Sequence, residues 1–151
     1  MQTLESKSDR EAIAKRISSL TPADERRWGR MTVGEMVCHV CDAYRIALGE
    51  KAASPATGFF QRTVMKWVAL KAPLKWPKGV KTRPELEQGI GGTPPVEFGR
   101  DKAELLSIFQ RFCGDGANFA PTHPFFGPMS REDWMRWGYL HADHHLRQFG
   151  R

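Results

Sequence analysis

The sequence predicts an all-α protein, a four-helix bundle with a long crossover between the second and third helices that carries an extra short helix. Three observations predict it. Four segments repeat apolar residues at helical spacing and end in cap or breaker residues. No run alternates apolar and polar residues for long enough to build a sheet. One Gly- and Pro-rich stretch, residues 50 to 97, separates the second segment from the third, leaving two short connections elsewhere.

The first helix is expected over Asp9 to Leu20, where Ile13, Ile17 and Leu20 fall four and three apart, and Thr21-Pro22 stops it. A charged connection follows, carrying Trp28, which is expected to plug one end of the core. Thr32-Val33-Gly34-Glu35 has the form of a capping box and opens a second helix reaching about Leu48. Val33, Met36, Val37, Val40, Tyr44, Ala47 and Leu48 make its apolar stripe, and Gly49 ends it.

Within the crossover, Phe59 to Ala72 is helical by pattern, through Phe60, Val64, Trp67 and Val68, while Pro73 to Glu97 reads as ordered chain without a regular element. Arg100 to Cys113 resumes a helical pattern with Leu105, Leu106, Phe109 and Phe112, closed by Gly114-Asp115-Gly116. The turn-rich APTHPFFGPM leads to Ser130, an N-cap followed by acids in the first turn, where the helix dipole favours them. The last helix runs to about Phe149.

At 151 residues the chain fits one domain, 1–151, large enough to bury a core without covalent staples. Hydrophobic content of 40% and charged content of 26% are those of a soluble globular protein, and no apolar run approaches the roughly 20 residues of a membrane span. The opening MQTLESKSDREAIAKR has no apolar stretch of the kind a signal peptide carries, so a cytoplasmic protein is expected. Three cysteines, Cys38, Cys41 and Cys113, fit a reducing compartment better than a disulfide framework. A net charge of +6 is only a weak pull toward acidic partners. The expected partner is a small-molecule substrate, with neither nucleic acid nor membrane.

Function concentrates in LHADHHLRQF, which holds three of the five histidines. On a helix, His141 and His145 lie one turn apart on one face, the two-ligand half of a transition-metal site. A wheel centred on His141 places Trp134, Trp137, His145 and Gln148 on the same side, His144 at its flank and Asp143 pointing away. His144, Arg147 and Gln148 are therefore weaker candidates for orienting ligands or an anionic substrate, and a surface salt bridge accounts for Arg147 equally well. On the second helix, His39 lies at the border of the buried stripe, where it can reach a neighbouring helix. His39 is the candidate third ligand.

Three imidazoles leave coordination positions open, as in catalytic rather than structural sites, and their softness suits Zn, Ni, Fe or Co. Cys41 and His39 diverge by about 160° on the wheel, so CHVC is not one metal or redox cluster and the cysteines are expected to pack. His123, ahead of Pro124, is expected to be structural.

WGRMTVGEMVCHV, HPFFGPMSREDW and HADHHLRQFG together resemble the DinB-like (DinB/YfiT) superfamily, closest to an uncharacterised subfamily of it. The resemblance spans most of the chain, but residues 50 to 97 add little to it. It implies a four-helix bundle with a three-histidine metal site, one ligand on the second helix and an HxxxH pair on the last, positions matched by His39, His141 and His145. Some members of that superfamily are transferases or isomerases that use a low-molecular-weight thiol such as bacillithiol, mycothiol or glutathione, and many are homodimers. The superfamily's name implies no DNA binding.

The expectation is a metal-dependent enzyme that activates a thiol or water, an S-transferase or a hydrolase. One alternative is a non-enzymatic module for acidic surfaces, carried by Lys66, Lys71, Lys75, Lys78, Lys81 and Arg83 with Trp67 and Trp76 interleaved. Another keeps the metal but makes it structural, or the site vestigial.

Overall fold

The computed structural model describes residues 1–56, 58–72, 75–80 and 82–151. Its elements are α1 (Lys7–Ser18), α2 (Val33–Ala47), α3 (Lys66–Lys71), α4 (Phe98–Cys113), β1 (Thr122–His123), β2 (Gly127–Pro128) and α5 (Arg131–Gln148). The all-α expectation holds, with α1, α2, α4 and α5 as the four main helices and α3 as the short one in the crossover. A π-helical stretch, Gln61–Met65, leads into α3.

Local chemistry sets the ends. The Thr32 and Ser130 hydroxyls each accept the amide three residues on, while the Glu35 and Asp133 carboxylates accept the cap amides in return. Glu97 accepts from the amides of Gly99 and Arg100 and starts α4 two residues ahead of the expected Arg100. Ser6 caps α1, whose observed span ends before Leu20, although Leu20 still reaches the core. The expected absence of a sheet needs one correction. β1 and β2 pair antiparallel, with Gly127 at the start of β2 taking φ of 69°, in strands two residues long that no alternation pattern could reveal.

Helix α1 packs on α4 and α5, and α2 packs on the same two, most extensively on α4, so the first and second main helices, and the third and fourth, pack on others rather than chiefly on each other. The connections over 19–32 and 114–130 are accordingly longer than the short links expected. Ile13, Ile17, Val37, Tyr44, Ile108, Phe112 and Trp134 fill the centre. Two devices at Gly138 seat α5 against α2 and α4 there. The Tyr44 hydroxyl donates to the Gly138 carbonyl at 3.0 Å, and Gly138 has no Cβ where the Phe112 ring lies. Trp28 does not plug the core. It is partly exposed and sits edge-on to His144, with the Lys78 ammonium 4.4 Å above its ring.

The crossover is ordered by its polar anchors. Asp42, fully buried on α2, accepts from Lys51 Nζ (2.7 Å), the Thr93 amide (2.7 Å) and the Thr93 hydroxyl (2.8 Å). Burial alone would raise this carboxyl, but those donors hold it below the usual carboxylate range. Farther along, the Ser54 amide donates to Glu85 and the Arg83 guanidinium to the Ser54 carbonyl and hydroxyl. The loop is thus closed on itself beside α2.

Candidate metal centre

His39 on α2 and His141 and His145 on α5 converge between the helices. One nitrogen from each lies within 4.8 Å of the others, and all three side chains are buried. The ring centroids form a triangle of 5.3 Å (His39–His141), 4.7 Å (His39–His145) and 4.7 Å (His141–His145). A tetrahedral metal with bonds of about 2.0–2.1 Å needs nitrogens about 3.3 Å apart, a contraction within reach of small ring rotations.

Two of the rings are oriented from outside the cluster. His39 Nδ1 lies 3.2 Å from the Leu86 carbonyl, and since a carbonyl only accepts, the proton sits on Nδ1 and leaves the Nε2 lone pair free. His145 Nδ1 lies 3.1 Å from Gln148 Oε1, whose amide nitrogen donates to the Trp28 carbonyl at 2.8 Å. That second bond fixes which end of the Gln148 amide faces the ring, so Nδ1 of His145 donates as well. Such outer partners are what metal-ligating histidines require.

His141 is held differently. Trp137 stacks flat on it, with centroids 4.8 Å apart and planes 13° apart, and its buried Nδ1 has no hydrogen-bond partner among the described residues. A buried nitrogen left unpaired costs about 1–3 kcal/mol, which a bound cation or water would relieve.

Burial pushes all three imidazoles below their ordinary pKa, His141 and His145 furthest, and for these two the neighbouring histidines push the same way. Each is neutral at neutral pH, the protonation state a metal ligand must have. No carboxylate or thiolate joins them among the described residues. Cys38 and Cys41 are buried elsewhere on α2, and burial lifts their thiols to about 11 and about 12. The donor set therefore fits a divalent transition metal with positions left open.

The other candidates divide. His144 lies beside the triad, 5.2 Å from His145 by centroid, enclosed by Trp28 and Trp76, and its Nδ1 is also buried without a partner. Gln148 touches His145 directly. Arg147 turns to Asp143, its Nε 2.8 Å from the carboxylate that also takes Arg16, so it makes a salt bridge away from the triad. His123 Nδ1 accepts the amides of Phe125 and Phe126 and braces their turn, and burial pushes its pKa down to about 3.

Residue-level reasoning missed three features here. Asp42 escaped because it lies opposite the apolar stripe, yet α2 is buried nearly all round, and a charge on such a helix must have partners. The Leu86 carbonyl carries no side-chain signal at all. Trp76, read as part of a basic surface, turns inward. Its indole donates to the Ala69 carbonyl and its ring lies 6.3 Å from both His141 and His144.

A surface hollow of about 600 Å³ lies along Pro22, Asp24, Arg26, Thr32 and Phe149 and shares no residue with the triad. Of its two acids, Asp24 and Glu25, the first is already taken by Arg151, and among the described residues no histidine or cysteine lines the hollow. Among the described residues no helix is long and apolar enough to cross a membrane. No curated protein and no solved structure matches the chain. Residues 2–151 match one family throughout, and the chain belongs to that family, described as protein of unknown function (DUF1569).

Proposed function

We propose that this chain is a cytoplasmic metal-dependent enzyme of the DinB-like kind, with His39, His141 and His145 holding one divalent transition metal, Zn, Ni or Fe. The observation that carries the reading is the donor set. Three buried neutral imidazoles face one another, two of them oriented by the Leu86 carbonyl and Gln148, and among the described residues no anionic side chain completes the shell. A closed structural site has four protein ligands, whereas three with an open position is the catalytic arrangement.

Bound there, the cation would supply Lewis acidity, making a coordinated thiol or water easier to deprotonate near neutral pH. The protein's own residues exclude bulk water through Trp137 and Trp76, hold the ring tautomers through Leu86 and Gln148, and place His144 at the rim. A low-molecular-weight thiol is the proposed co-substrate, making the reaction an S-transfer to a small electrophile. Hydrolysis is the variant in which water takes the thiol's place.

Metal analysis of the purified protein and of H39A, H141A and H145A tests this. One equivalent of metal in the wild type, lost in each variant without loss of helical signal, is expected. Absence of stoichiometric binding after loading with Zn, Ni or Fe, or full retention by the variants, would overturn it. Unfolding on chelation would assign the metal a structural role instead.

A further inference from the structure

The chain's positive charge is not spread over it. Between Glu50 and Glu85 lie eight of its 23 Lys and Arg and none of its 17 Asp and Glu, so the remaining sequence carries 15 basic against 17 acidic residues. The whole excess belongs to the crossover. The same stretch holds six of the nine large hydrophobic side chains that are exposed among the described residues. Phe60, Val64 and Trp67, which give this segment its helical pattern, face solvent. With Phe59 these side chains are 49–85% exposed, on the helical segment that turns only residues such as Leu70 inward.

We propose that this face docks on an anionic lipid surface. Exposed aromatic and aliphatic side chains beside lysines, on a helix with its other face packed, are the make-up of an interfacial helix. Lys71, one helical turn after Trp67, is exposed, as is Lys75 farther along, and lysine stems can lie along the apolar surface while their ammonium groups reach phosphate.

Charge and composition favour lipid over other occupants. A second copy placed face to face by a two-fold axis would set one acid-free basic segment against another. Phe59, Phe60 and Trp67 could stack on bases, but the Arg83 guanidinium is spent on Ser54, Trp76 is turned into the metal centre, and the aliphatic Val64 and Met65 exposed among the rings suit acyl chains rather than bases. Of the basic set recognised in the sequence, Lys66 is also engaged, at 2.7 Å from Asp133, and Lys81 lies outside the described residues. This proposal departs from the expectation of no membrane partner because the apolar stripe is exposed. It does not depend on the metal.

Co-sedimentation of the full chain with phosphatidylcholine vesicles, with and without phosphatidylserine, is the test. Binding only to the phosphatidylserine vesicles, weakened by salt, is expected. Each lysine near the surface should be worth about fivefold in affinity, so K71Q/K75Q should bind about 25-fold more weakly. F60S/W67S should lose binding while keeping the wild-type melting temperature and metal content, since both side chains are exposed. Failure to bind, equal binding to both vesicle types, tighter binding to a single-stranded oligonucleotide, or a dimer in which Trp67 is buried would each overturn the proposal.

Discussion

Replacing Asp42 with alanine separates the crossover's role from that of the histidines. The carboxylate accepts three hydrogen bonds of 2.7–2.8 Å from Lys51 and Thr93 and has no exposure to water. Removing one partner of a buried charged network costs about 3–5 kcal/mol. Lys51 is one-fifth exposed and also donates to the Gly91 carbonyl, so it can regain water, which places D42A near the lower limit, about 3 kcal/mol. At about 2–4 °C per kcal/mol for a chain of this size, the melting temperature should fall by about 6–12 °C.

Thr93 follows Leu86 through a turn in which the Glu87 carbonyl accepts the amides of Ile90, Gly91 and Gly92, so freeing it should also loosen the carbonyl that orients His39, and loss of such an outer partner costs about 10–100-fold in metal affinity. T93V removes the hydroxyl bond but keeps the amide, and should cost about 1 kcal/mol. Urea unfolding and competitive zinc titration on D42A, T93V and wild type give both quantities. If D42A loses stability but binds zinc as the wild type does, the link from Asp42 through Leu86 to His39 is refuted. If it loses neither, the anchoring role fails too.

Two further outcomes follow from burial. The metal-free protein should lose stability as pH falls below about 6.5, because His39, His123, His141 and His145 resist protonation when folded but accept protons when unfolded, and each contributes about 1.4 kcal/mol per pH unit. That stability is complete above the unfolded value and, for His123, goes on being lost down to about pH 3, so urea midpoints that stay level between neutral and mildly acid pH would contradict it. G138A should be destabilised by about 1–3 kcal/mol, since a Cβ there would lie 2.6 Å from the Phe112 ring, and a wild-type midpoint would show that the ring moves freely.

The main elements were legible in the amino-acid order because helix signals are local. The Thr32 and Ser130 capping boxes, the Ile13–Ile17 spacing and the apolar stripe of α2 each lie within a few turns of chain. The pairing of His141 with His145 was legible for the same reason, since four residues on a helix dictate one face. The meeting with His39 was inferable only as a position on a wheel. Its 5.3 Å approach to His141 exists because α2 packs on α5.

Beyond that, the long-range contacts decided. Main-chain carbonyls carry no residue signature, so the bond from His39 to Leu86 could not be read from side chains, and neither could the buried partners that make Asp42 tolerable inside α2. The segment containing Trp67 and Trp76 shows the limit most plainly. Both indoles belong to the same basic, aromatic stretch, yet one turns onto His141 and His144 while the other stands 63% exposed. Periodicity shows that a helix has an apolar face, but only the packing of the whole chain determines whether anything covers it.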